Sequence, residues 1–207
     1  ESLTELTIPS SVTTIGKSIL SGCKALEKLT IPFVGDSIKS SADTNQFPLG
    51  YIFGDDQYEG ATLTEQYYYS ASTSLHTLGK YYIPDSLKTV TVSGGNILSG
   101  AFYGCSSLTD VTLMGDVEAI GNEAFYNCSN LTSVTLNNVK HIGTRAFYNC
   151  SNIETLVINE GCETIGEGAF MNCKKIQEVV LPEGLISIGK EAFYIMYVHT
   201  FTIPSTI

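Results

Sequence analysis

Six cysteines, three histidines and one short acidic run are the side chains in this sequence best suited to metal or nucleophilic chemistry. Cys23, Cys105, Cys128, Cys150 and Cys173 fall in one column of a repeating pattern, the last four spaced 23, 22 and 23 residues apart, while Cys162 stands outside it. Zinc requires four ligands converging on one point, usually with close C-x-x-C or histidine partners. Ligands supplied once per repeat do not converge, so no metal is expected. Parallel copies of one side chain are also badly placed for a disulfide dihedral of about 90°, and the column predicts buried free thiols.

His76, His141 and His199 are scattered, and no Ser or Cys sits in a G-x-S-x-G turn, so no nucleophile and base are expected to meet. The run from Gly54 to Gly60, with Asp55, Asp56 and Glu59, has acids enough to suggest calcium. It lacks the alternating acids and terminal Glu of an EF-hand loop and reads as a solvated hairpin tip. Glu160 and Glu163 occupy different positions on a turn and imply no acid and base pair. The N-x-S/T triplets at Asn127, Asn130 and Asn149 lie in a repeated loop and matter only in a eukaryotic source. The sequence assigns no catalytic residue, no metal site and no cofactor.

Contact chemistry is better represented. Tyr51, Tyr58, Tyr67, Tyr68, Tyr69, Tyr81 and Tyr82 make up more than half of the 12 tyrosines. Tyrosine joins an apolar face to a polar tip, which makes Tyr67, Tyr68, Tyr69, Tyr81 and Tyr82 candidate contacts for a protein or glycan. The alternative is that they brace this segment against the rest of the molecule.

The framework that must position these groups is legible from the chain as a whole. It has 207 residues, 43% of them hydrophobic, with mean hydropathy +0.12, which excludes a disordered chain. The longest apolar run, Tyr194 to Val198, is far below the roughly 18 residues of a membrane helix, and no signal segment opens the chain, which reads as soluble. A formal charge of -10 repels phosphate backbones and anionic lipid, so neither nucleic acid nor direct membrane insertion is expected.

A repeat of 22 or 23 residues dominates, clearest in the blocks starting at Leu108, Leu131, Ile153 and Ile176. Each opens on L-x-x-V-x-L, the alternation of a half-buried strand, as in Val134 and Leu136. An I-G-x-x-A-F-x-x-C stretch follows, with columns at Ile120, Ile142, Ile165 and Ile188 and at Phe125, Phe147, Phe170 and Phe193. It reads as a second short extended piece and then one tight helical turn. A lone repeat buries too little apolar surface to offset the entropy of ordering its backbone, so stacking is obligatory. The expected fold is an α/β solenoid: a right-handed leucine-rich-repeat coil with a parallel sheet on one face, and short strands and helical turns on the other.

The whole chain is read as one such domain. Repeats are expected at about 3–25, 26–86, 87–107, 108–130, 131–152, 153–175 and 176–197, with a partial copy at 198–207. The second is about 15 residues longer than two repeats would need. Its excess is read as an inserted β-hairpin, Thr62–Ser72 with Gly79–Tyr82, while Leu49-Gly50-Tyr51-Ile52-Phe53 resembles a worn I-G-x-x-A-F. On the sheet face the outward columns are Glu5, Lys28, Thr89, Asp110, Ser133, Thr155, Glu178 and Thr200, and a threonine ladder broken by Val157 and Val180. The first column changes charge from repeat to repeat, which marks Glu5, Lys28, Asp110 and Glu178 as further candidate contacts.

The wording L-x-x-V-x-L-P-x-x-V-x-x-I-G-x-x-A-F-x-x-C, matched piecewise by Leu3–Cys23, Leu108–Cys128 and Ile176–Met196, resembles the BspA-like, Treponema-type leucine-rich repeat family. Leu20, Met171 and Met196 depart from it at single columns, and the asparagine-ladder position of other leucine-rich repeats is missing. The resemblance implies a bacterial or protozoan cell-surface or secreted protein. Such proteins serve adhesion to a host or matrix protein, or to a glycan, and have no active site. A structural spacer without its own ligand is the competing expectation. The chain starts in mid-repeat, so further repeats or an anchor domain are expected beyond it.

Overall fold

The computed structural model describes residues 2–38, 46–70, 75–115 and 117–205, the side chains of Tyr69, Ser70, Leu75, His76, Val134 and Thr135 excepted. In chain order its strands are β1 (Glu5–Thr7), β2 (Lys28–Ile31), β3 (Ala61–Ser70), β4 (Leu75–Pro84), β5 (Thr89–Val92), β6 (Asp110–Leu113), β7 (Ala119–Ile120), β8 (Ser133–Thr135), β9 (His141–Ile142), β10 (Thr164–Ile165), β11 (Glu178–Val180), β12 (Ser187–Ile188) and β13 (Thr200–Thr202).

Apolar alternation builds the first sheet. Leu29, Ile31, Val90, Val92, Val111 and Leu113 point inward and are buried, while Glu5, Thr7 and Lys28 point out. Like residues of successive coils are paired in parallel, so the order is β1-β2-β5-β6-β8 with Glu5 opposite Lys28, Lys28 opposite Thr89, Thr89 opposite Asp110 and Asp110 opposite Ser133. Segment 153–159 forms no strand, and the sheet resumes as the pair β11-β13. A second parallel sheet, β7-β9-β10-β12, carries the isoleucine column, extended by a bridge from Ile97 to Ile120. Together these elements form a β-solenoid of about eight coils.

The expected helical turns are absent from the third side. Among the described residues the one helical element is the 3-10 segment Leu49–Ile52. The reason is visible in the amides of 123–128. Ala124, Tyr126 and Cys128 donate three residues back, to Gly121, Glu123 and Phe125, whereas Glu123, Phe125 and Asn127 donate to Thr144, Ala146 and Tyr148 of the next coil. A helix would use every N–H within its own turn. Here alternate N–H groups are committed to the neighbouring coil, and left-handed residues such as Glu123, Asn127, Arg145 and Asn149 set the zigzag.

This arrangement stacks the core. Phe102, Phe125, Phe147 and Phe170 are fully buried, and the column continues to Phe193 with centroid spacings of 4.9, 4.9, 5.2 and 5.6 Å and planes within 7°. One hydrophobic cluster runs from Ile15 to Ala192.

The insertion is the expected hairpin, with β3 and β4 antiparallel and Tyr67 opposite Leu78. Leu49 to Phe53 take the turn position of the worn motif, where Ser18 and Leu20 donate to the Tyr51 and Ile52 carbonyls. The hairpin is locked in by Gln66, which is completely buried. Its Oε1 accepts from the Gly50 N–H at 2.7 Å, and its Nε2 donates to the Tyr103 carbonyl at 2.8 Å. Gln66 thereby bridges turns that the insertion has separated. Gly100, at φ 68°, leaves the space through which the Tyr67 carbonyl passes.

Candidate interaction surfaces

Consecutive strand residues face opposite ways, and this divides the tyrosine run. Tyr67 points outward, 37% exposed, and meets Tyr103 edge-on at 5.1 Å. Tyr68 turns inward and is half-buried, 5.2 Å from Phe47, which itself stacks on Tyr51. The backbone of Tyr69 pairs with His76, and its side chain lies outside the described residues. Tyr81 is in the interior, and Tyr82 is half-buried with its carbonyl accepting from the Tyr58 hydroxyl at 3.1 Å. Burial pushes the phenols of Tyr58 and Tyr81 up to about 12. The insertion thus uses Tyr58, Tyr68 and Tyr81 for packing, and its hairpin presents Leu63, Tyr67 and Leu78 to solvent.

Two of its acids, Asp55 and Glu59, have local partners. The Lys17 ammonium donates to Asp55 at 2.8 Å and holds that carboxyl below its ordinary value, and Lys24 donates to Glu59 at 3.3 Å. Both contacts tie the start of the insertion to the first coil.

The cysteine column is a hydrogen-bond ladder. Cys128, Cys150 and Cys173 donate their thiols to the carbonyls of Phe102, Phe125 and Phe147 in the preceding coil, at 3.1, 3.0 and 3.1 Å. All six cysteines are free, and burial raises the thiols of Cys105 and Cys150 well above 9.0 and that of Cys173 to about 12. A reactive thiolate is disfavoured at these positions. His141, exposed, meets Thr164 Oγ1 at 3.0 Å and Glu163 at 4.0 Å, and the side chain of His76 lies outside the described residues.

Two ladders were not anticipated from the sequence. Asn149 donates to Asn127 at 2.8 Å and Asn172 donates to Asn149, all three in left-handed turns. An asparagine ladder therefore exists, on the turn side, and its amides occupy two of the N-x-S/T sites. Beside it Tyr103, Tyr126 and Tyr148 stack half-buried at 4.9 and 4.7 Å. The signal for it is the tyrosine after Phe102, Phe125, Phe147 and Phe193 in the motif itself.

On the sheet face Glu5, Lys28 and Asp110 lie side by side through the strand register, with Thr89 between the last two. Asp110 accepts from Thr109 at 2.8 Å and from Ser133 at 2.7 Å, which fixes its carboxylate. Glu178 is separated from these three by the interruption of the sheet. It borders a cleft of about 1130 Å³ between 154–160 and 174–183 that reaches Pro204. Val157 and Val180, the two breaks in the threonine ladder, are 66% and 49% exposed on its floor. Among the described residues no helix is long and apolar enough to cross a membrane.

The chain is similar to the leucine-rich repeat protein of T. pallidum, at 29% identity and a TM-score of 0.55, over 56% of this chain and 58% of that one. A leucine-rich cell surface protein from Faecalibacterium prausnitzii is similar at 27% identity and a TM-score of 0.44, over 61% of this chain and 41% of its own. A leucine-rich repeat protein from Eubacterium ventriosum shares the fold at 19% identity and a TM-score of 0.51, over all of this chain and 62% of its own. The chain thus spans less than two thirds of each of these proteins. No curated protein sequence matches it. The family profile for the BspA type leucine rich repeat region, in 6 copies, matches residues 1–92 and 95–207, and the chain belongs to that family.

Proposed function

We propose that this segment is a non-enzymatic recognition module, displayed on a bacterial surface or secreted, that binds a host or matrix protein through its sheet face. The observation that carries the reading is the outward column of that face. Its residues change charge from strand to strand while the inward columns stay apolar, so fold stability does not account for them. Membership of the BspA-type family supports the surface location and the absence of an active site. Further repeats or an anchor outside this segment belong to the same reading.

The test is a binding screen of the intact protein against immobilised matrix proteins and a glycan array. It is repeated with Glu5→Lys, Lys28→Glu, Asp110→Lys and Glu178→Lys combined. Loss of a protein ligand with an unchanged circular-dichroism spectrum supports the reading, and retention of every ligand removes the sheet face from it. The inward packing of Tyr58, Tyr68 and Tyr81 favours a second reading for the hairpin, that of a brace in a spacer. A screen with no ligand at all supports that spacer.

A further inference from the structure

We propose that the interruption of the first sheet is a strand-addition site, which takes an extended cationic peptide segment of the partner protein between 154–158 and β11. This rests on the reading of the segment as a recognition module and specifies where and how the partner engages.

The first observation is a set of missing rungs. Where coils are paired in the first sheet, the outward residues of the later strand turn their backbone groups toward the earlier one, as when Ile8 donates to the Thr30 carbonyl and Lys28 to that of Thr4; toward β8 the segment 154–158 keeps only the bond from Glu154 N–H to the Thr132 carbonyl. The same pattern would join Leu156 N–H to Glu178, Val180 N–H to Leu156, and Ile158 N–H to Val180. None of these bonds forms, although every residue involved is among those described. β11 keeps its other edge paired with β13, so the open edge faces the cleft. Backbone donors and acceptors left open in this way are satisfied by an added strand, which gains affinity from main-chain bonds and specificity from alternate side chains.

The second observation is the side-chain setting. Val157 and Val180 replace threonine at the two outward positions beside the gap and are exposed there, giving an apolar strip on the line an added strand would follow. Around it Glu154, Glu160, Glu178 and Glu183 face only Lys174 and Lys175, and Lys175 pairs with Glu154 at 3.7 Å. The cleft is acidic in a chain of charge -10, so the complementary strand alternates lysine or arginine with an apolar residue. A glycan would meet the carboxylates but would not use the open strand edge.

The probe is a dye-labelled Lys-Val-Lys-Val-Lys-Val-Lys peptide added to the intact chain, read by fluorescence anisotropy and by amide hydrogen exchange. The expected result is saturable binding with new protection at 155–158 and 178–181. Affinity should fall about tenfold or more when alternate peptide amides are N-methylated, and again for Val157→Lys, whose exposed position leaves the fold intact. Equal binding of the methylated peptide overturns strand addition in favour of charge contact alone. Absence of binding overturns it as well. Protection confined to β1, β2, β5 and β6 overturns this site while leaving the sheet face as the recognition surface.

Discussion

Phe147→Ala tests the claim that the stacked aromatic column is what holds successive coils together. Phe147 is fully buried between two parallel rings, 4.9 Å from Phe125 and 5.2 Å from Phe170. Truncating such a ring costs about 3–5 kcal/mol in transfer and cavity terms, and losing ring contacts on both faces places this site at about the upper end of that range. In a chain of this size each kcal/mol lowers the melting temperature by about 2–4 °C, so a shift of about 10 °C or more is expected. The chain has no tryptophan, so the assay is guanidinium unfolding followed by circular dichroism and tyrosine fluorescence, with hydrogen exchange to locate the damage. Because coils are stabilised by their neighbours, protection should fall in the coils carrying Phe125 and Phe170 as well. Phe193→Ala is the internal comparison. Partly buried and with one parallel partner at 5.6 Å, Phe193 should cost about half as much. If Phe147→Ala shifts the transition no more than the exposed Thr7→Ser, the column is not the core and the reasoning fails.

The thiol ladder predicts that at pH 8 only Cys23, the one cysteine not buried, reacts readily with a thiol reagent, and that all six react in denaturant; a mass lower by two hydrogens would instead mark a disulfide. Since the Cys173 thiol is raised from 9.0 to about 12 in the fold, its stabilisation is complete below pH 9 and is lost as pH climbs toward 12, which alkaline unfolding curves will read. In the I-G column Gly166→Ala should cost about 1–3 kcal/mol, because a Cβ there would lie 2.5 Å from the Gly143 and Thr144 backbone. Gly16→Ala, whose nearest neighbour is Ile19 Cγ2 at 3.5 Å, should be nearly neutral, and equal melting shifts would refute the close approach of coils.

The strand columns outside 153–159, the aromatic column, the thiol column and the inserted hairpin were readable from the sequence, whereas the asparagine and tyrosine ladders of the turn side were not. What was misread depends on where hydrogen bonds go. Amides 123–128 have a spacing compatible with a helical turn, and only the coil-to-coil bonds of Glu123, Phe125 and Asn127 distinguish the zigzag from a helix. Tyr67, Tyr68 and Tyr69 look like one patch as letters, but the alternation of β3 sends Tyr67 and Tyr68 to opposite faces. The gap beside β11 is silent in sequence, because Leu156 and Ile158 keep the strand pattern and remain buried. Only the exchange of threonine for Val157 and Val180 hints that this stretch differs.

The thiol column shows how a repeat removes chemistry from residues whose side chains offer it. The Phe125 carbonyl accepts the N–H of Cys128 in its own coil at 3.1 Å and the thiol of Cys150 from the next at 3.0 Å. The Phe147 carbonyl does the same for Cys150 and Cys173, at 3.2 and 3.1 Å. An alanine in the column would leave the second lone pair of a buried carbonyl without a donor, and a serine would bring a more strongly hydrated hydroxyl inside. Cysteine is small, apolar enough to bury and still able to donate, provided it stays protonated. For Cys105, Cys150 and Cys173, whose thiols burial raises, the same requirement disfavours metal binding, disulfide exchange and nucleophilic attack, each of which needs the thiolate. Inward positions are therefore committed to stacking in nearly identical ways from coil to coil and cannot distinguish one partner from another. Specificity is left to positions where neighbouring coils differ: the outward charges of the first sheet, the solvent side of the hairpin, and the acidic gap between 154–158 and β11.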